Sequence, residues 1–125
     1  MDEYEKNLSP EQFQEMFKVT PEKVVEVVHR LVATYNPIYI YAFGSYASGK
    51  HDSDSDFDVM AVIDNYDDKS WKVTVRGYGQ LHGITMPIDL LVYDSSKFEE
   101  CKKDSTSFCH TILKTGKLLY ERKKF

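Results

Sequence analysis

Gly44-Ser45 and, after ten further residues, Asp56-Phe57-Asp58 are the residues whose types and spacing suit chemistry best. Asp58 opens the apolar run Val59-Met60-Ala61-Val62-Ile63. In an extended chain Asp56 and Asp58 project to one side, about 6–7 Å apart along the backbone. Two carboxylates at the mouth of an apolar strand repel each other and resist desolvation unless cations compensate. Magnesium suits such a pair, because it takes one or two carboxylates together with phosphate oxygens and keeps some of its water. A glycine at a strand end lets the backbone approach a phosphate, and the following amides and the Ser45 hydroxyl are donors for it. Asp89 is the one charge inside Ile88-Asp89-Leu90-Leu91-Val92. If its strand neighbours the first pair, a third carboxylate completes a two-metal phosphoryl-transfer site.

Other uses of this stretch fit less well. Gly44, Gly49 and Lys50 have the spacing of a P-loop, but His51 stands where a hydroxyl should ligate magnesium, and the chain runs on into aspartates and a strand instead of a helix. Asp52, Asp54 and Asp56 copy the opening of a calcium loop. Phe57 and Ile63 then occupy its glycine and bidentate glutamate positions, and the frame starting at Asp54 puts Val59 and Asn65 there. A solvated acidic turn accounts for Asp52 and Asp54 but poorly for the inner pair. A structural ion pair is the plain alternative for Asp89.

The elements that must position these residues are readable from periodicity. Ser9-Pro10-Glu11-Gln12 is a capping box opening a short helix with Phe13, Met16 and Phe17 on its apolar side. Thr20-Pro21 begins a second helix, whose Val24, Val25, Val27, Val28, Leu31 and Val32 form a stripe for a sheet until Asn36-Pro37 ends it. Strands are expected at residues 38–43, 57–63 and 86–93, with a helix over 69–82 presenting Trp71, Val75 and Tyr78 on one face. Two short helices over 96–102 and 105–114, a Gly116 cap and an edge strand over 117–121 complete the chain. The fold class expected is α/β (α+β mixed), a small mixed sheet with helices packed on it.

The sequence has 125 residues, 42% hydrophobic and 29% charged, which suits one compact domain with a real core. Sixteen Lys and Arg against twenty Asp and Glu give a net charge of −4, which argues against general nucleic-acid binding or attraction to anionic lipid. No apolar run approaches the roughly twenty residues of a membrane span, and the acidic start is no leader, so a cytoplasmic protein is expected. Cys101 and Cys109 have neither metal-knuckle nor redox-motif spacing and read as two reduced thiols. His29, His51, His82 and His110 show no zinc spacing, and only His51 is near enough to the loop to touch phosphate. Most aromatics, Trp71 included, are expected in the core, with Tyr46 beside the Gly-Ser turn placed to stack on a base or ribose.

Phe43-Gly44-Ser45-Tyr46-Ala47, Ser55-Asp56-Phe57-Asp58, Ile88-Asp89-Leu90-Leu91-Val92 and Gly116-Lys117-Leu118-Leu119-Tyr120-Glu121 together resemble the minimal nucleotidyltransferase (MNT) family of the DNA polymerase beta-like nucleotidyltransferase superfamily. The resemblance implies that fold, with Gly44, Ser45, Tyr46 and Lys50 on the nucleotide and Asp56, Asp58 and Asp89 as catalytic carboxylates holding two Mg2+ ions. Asp89 would also take the proton of the acceptor hydroxyl. Many relatives carry Arg where this chain has Ser48, so the resemblance implies that a phosphate contact is either missing here or moved to Lys50. Residues 1–19 are expected as an N-terminal helical extension and 20–125 as a single nucleotidyltransferase domain.

Larger relatives carry a second domain for the acceptor. Here the acceptor surface is expected from a partner protein or a second copy of the chain. The minimal family is often paired with a small helical HEPN-type protein in a toxin–antitoxin arrangement. The implied function is therefore magnesium-dependent transfer of AMP from ATP to a partner's hydroxyl. The alternatives are a non-catalytic nucleotide-binding module that masks a helical partner and, less well supported, an antibiotic-modifying enzyme.

Overall fold

The computed structural model describes residues 9–50 and 55–123, so His51, Asp52, Asp54 and the start of the expected extension lie outside the described residues. Helix α1 (Pro10–Met16) opens as expected, with the Ser9 hydroxyl accepting from the Gln12 amide and the Gln12 side chain accepting from the Ser9 amide. Helix α2 (Pro21–Tyr35) is capped by Thr20 and ends at Asn36, whose φ of 45° is left-handed. Its Val24, Val27 and Leu31 are buried. The Lys23 ammonium donates to the carbonyls of Met16, Lys18 and Thr85, at 2.6 to 2.8 Å. All three of its donors are thereby used, and they tie the α1–α2 connection to the segment that leads into the last parallel strand.

Among the described residues four strands, β1 (Tyr39–Phe43), β2 (Phe57–Ile63), β3 (Ile88–Asp94) and β4 (Lys117–Glu121), form one sheet in the order β3-β2-β1-β4. β1 is antiparallel to both β2 and β4, with a register shift at Ile40/Tyr41 on the β4 side, and β2 is parallel to β3. The sheet is therefore mixed, as expected. β2 is central and covered on both faces, which explains its unbroken apolar sequence. On one face Ile40, Ala42, Phe57, Val59 and Leu90 pack with α2. On the other, Phe43, Met60 and Val62 pack with Phe98 of α5 (Ser95–Lys102) and with Cys109 and Ile112 of α6 (Phe108–Thr115). A short helix, α3 (Gly44–Ser48), follows β1 directly.

Helix α4 (Ser70–Gln80) departs from expectation in its orientation. Val73 and Gly77 face inward, whereas Trp71 is 59% exposed and Val75 and Tyr78 are also exposed. Gly77 sets this orientation, because its bare Cα lies against the Tyr35 hydroxyl and Leu90. Tyr35 in turn donates to the Val73 carbonyl. The Tyr78 hydroxyl accepts the Leu90 amide at 2.8 Å.

Of three further expectations, one holds and two are corrected. Gly116 caps α6 as expected, its amide donating to the Ile112 carbonyl; its φ is −84°, and glycine is needed there because a Cβ would meet the Ile112 and Ala42 carbonyls. α6 starts at Phe108 instead of 105, because the Ser107 hydroxyl caps it by accepting from the His110 amide. Cys101 and Cys109 are joined in a disulfide with a Cα separation of 5.8 Å, so they are not two reduced thiols. The hairpin of α5 and α6 brings them together across the loop between the helices, which spacing alone did not reveal. Among the described residues no helix is long and apolar enough to cross a membrane.

Candidate active site

Parallel pairing of β2 with β3 puts Asp58 directly opposite Asp89 in register. Neighbouring strands lie about 4.8 Å apart, so the two carboxylates share one end of the same sheet face. The alternation along β2 that buries Phe57 and Val59 against α2 turns Asp58 to the α6 side, with Met60 and Val62. β1 delivers Phe43 opposite Asp58 and then turns at Gly44. Gly44 has a φ of 68°, and any Cβ there would collide with Oδ2 of Asp58. The Gly-Ser turn and the first strand carboxylate are thus in contact.

These residues open on a cleft of about 380 Å³, whose floor is Gly44, Asp58 and Asp89. Its far wall is α6, through Phe108, Thr111 and Thr115. The Asp58 carboxyl is pushed above its ordinary range, first by burial, then by the charge of Asp89, then by that of Asp56. Asp56 is exposed, just before β2, and extends the acidic row toward solvent. Among the described residues no three His, Cys, Asp or Glu side chains form a ready-made metal cage. A cation that keeps water and accepts phosphate oxygens needs only the facing carboxylates, and hard oxygen donors are what magnesium selects.

The remaining candidates are placed differently. Ser45 lies in the first turn of α3, and its carbonyl accepts from the Lys50 amide at 2.9 Å and from the Ser48 hydroxyl at 3.1 Å. Lys50 is exposed just past the left-handed Gly49, outside the cleft lining. The Tyr46 ring, expected as the stacking aromatic, packs edge-on against Phe57 at 5.1 Å, on the opposite face of the sheet from Asp58. The aromatics lining the cleft are Phe43, which is buried, and Phe108, which is exposed. The signal of Phe108 in the sequence was weak: it follows a capping Ser and falls outside the Cys109/Ile112 stripe that faces the core.

An open mixed sheet with a Gly-Ser turn at the end of one strand and carboxylates at the ends of the next two is a nucleotidyltransferase-like core. Residues 26–125 match the family described as polymerase beta, nucleotidyltransferase, and the chain belongs to that family. A Sulfolobus solfataricus protein described as a candidate nucleotidyltransferase has a similar structure, with a TM-score of 0.58 and 21% identity over 82% of this chain and 81% of that one. Also similar are a toxin–antitoxin structure with AMP-PNP (TM-score 0.46, 20% identity, 82% and 74% of the two chains) and a mutant of the toxin–antitoxin MntA-HpeT (0.47, 18%, 82% and 74%). No curated protein matches the sequence significantly.

Proposed function

We propose that this nucleotidyltransferase-family chain transfers AMP from ATP to a hydroxyl of a partner protein, with residues 20–125 as the transferase domain. The observation that carries this reading is the in-register pair Asp58 and Asp89 facing a cleft floored by Gly44. Asp56, Asp58 and Asp89 would hold two magnesium ions, which would neutralise the polyphosphate and polarise the α-phosphoryl group. Gly44 and Ser45 take the triphosphate, with Lys50 as a nearby positive charge. Asp89 accepts the proton of the acceptor hydroxyl as its oxygen bonds to the α-phosphorus. The bond from that phosphorus to the bridging oxygen breaks, and pyrophosphate leaves. Alignment and charge neutralisation supply most of the rate.

A cleft of about 380 Å³ is at the lower end for a ligand site and suits one nucleotide. The acceptor is therefore presented from outside, and a small helical partner of the HEPN type is the acceptor proposed. A second reading, a non-catalytic module that masks the partner, is favoured by the exposed row of Trp71, Val75 and Tyr78 on α4.

The test is incubation of the chain with α-labelled ATP, magnesium and the product of its neighbouring gene. Label on a hydroxyl residue of that protein, lost with Asp56→Asn, is the expected result. If the neighbour binds but stays unlabelled, and the Asp56→Asn protein neutralises it equally well in cells, masking is the function.

A further inference from the structure

The α6 wall of the cleft is unlike its floor. Phe108, Thr111 and Thr115 fall at i, i+3 and i+7, so they form one stripe facing the cleft, while Cys109 faces the core and the buried Ile112 bridges core and cleft. Phe108 is 56% exposed, an unusual position for a phenylalanine in a chain whose other apolar α6 side chains are covered. Its ring is held edge-to-face by the buried Phe43, with centroids 5.5 Å apart and planes at 88°. Phe43 is the residue immediately before Gly44. The exposed ring is thus packed on the residue next to the turn proposed to take the phosphates, and it lines the same cleft.

The hydroxyls along the same wall point to the same ligand chemistry. The Thr115 hydroxyl donates to the Thr111 carbonyl at 2.8 Å, which uses its only proton and leaves its oxygen as an acceptor. An acceptor on the same wall as an uncharged ring disfavours phosphate. It suits an exocyclic amino group or a ribose hydroxyl. Phosphate and base are then divided between floor and wall: carboxylates and Gly44 on one side, Phe108 and threonine oxygens on the other.

We propose that Phe108 is the stacking platform for the nucleobase of the donor nucleotide, with Thr115 as an acceptor two turns further along the same wall. This rests on the nucleotide reading of the cleft. Stacking of a base on an aromatic side chain is typically strong enough that removing the ring weakens binding about tenfold.

The test is calorimetric binding of Mg-ATP and of magnesium tripolyphosphate, which has the charge but no base, to the wild type, Phe108→Ala and Phe108→Trp. The expected result is that Phe108→Ala weakens ATP about tenfold, leaves tripolyphosphate unchanged and keeps its melting temperature within a few degrees, while Phe108→Trp restores ATP. Unchanged ATP affinity in Phe108→Ala, or an equal loss for both ligands, overturns the platform and leaves the nucleotide reading standing. A wild type that binds neither ligand in a metal-dependent way overturns the nucleotide reading and the platform with it. If Phe108→Ala unfolds, Phe108→Leu is read the same way, since it keeps apolar bulk without an aromatic face. Wild-type ATP affinity in Phe108→Leu then also overturns the platform.

Discussion

Gly44 and Asp58 occupy adjoining space: the Cα of the one lies so near the carboxylate of the other that no Cβ fits between them. The positive φ of Gly44 adds about 1–2 kcal/mol of strain for any L side chain. Gly44→Ala should therefore lower stability by at least about 1 kcal/mol in urea titration and also abolish metal-dependent nucleotide binding. Adding Asp58→Ala should restore part of the stability and none of the binding. Wild-type stability for Gly44→Ala alone would contradict the contact.

Asp58 carries opposing requirements with and without a cation. Its raised pKa means that the folded chain binds more protons than the unfolded one, so stability falls as pH rises through that range. In chelator at neutral pH, Asp58→Asn should melt slightly higher than the wild type. With magnesium it should bind ATP about tenfold or more weakly, a change of about 1.4 kcal/mol. A substantial fall in melting temperature in chelator would mean that the carboxylate is structural.

Asp89 is exposed and pairs with Asp58 across the strands. As proton acceptor, its replacement in Asp89→Asn should largely spare Mg-ATP binding while transfer falls by about 10²–10⁴-fold. Joint loss of binding and transfer would make it chiefly a ligand, and preserved transfer would remove it from the site.

The two glycines of α4 should respond with opposite signs. A Cβ on Gly79 meets nothing, so Gly79→Ala should stabilise by up to about 1 kcal/mol through helix propensity. At Gly77 the new methyl would press on the Tyr35 hydroxyl, already bonded to Val73, and on Leu90. Gly77→Ala should lower the melting temperature, read in the same thermal scan.

Asp64, just after β2, accepts two hydrogen bonds from Arg122, at 2.9 and 3.2 Å, and its carboxyl is held below the usual carboxylate range by those bonds. The sign is opposite to that of Asp58: the stabilisation is present above the unfolded carboxylate's pKa and is lost as pH falls below about 4. Asp64→Asn should flatten that acid limb slightly and leave neutral-pH stability nearly unchanged, since the pair is exposed.

The acidic residues were legible because a charge inside an apolar strand is conspicuous in one dimension. Register was not: only the parallel pairing of β2 and β3 sets Asp89 against Asp58. Tyr46 and Phe108 show the limit for aromatics. Tyr46 is beside the turn in sequence but faces the other side of the sheet, while Phe108 is remote in sequence and enters the cleft through the fold. Trp71 was misplaced for a different reason. Periodicity assigns the bulkiest side chains to the inner face of a helix, and α4 instead packs by its glycine, which lets Tyr35 and Leu90 come close. The disulfide depended on how two helices fold back on each other, which composition does not encode.

The hydrogen bond from the Leu90 amide to the Tyr78 phenol bears on self-association through the margin of the sheet. β3 is an outer strand, and an outer strand is a template for self-association through its unpaired amides. The phenol occupies one such amide from the chain's own helix, so an incoming strand would have to displace it. At the other margin β4 is only five residues long and carries Lys117 and Glu121 at its ends. Tyr78→Phe would free that donor with little change in shape, and fibrillar growth would then gain a docking edge on the side away from β4.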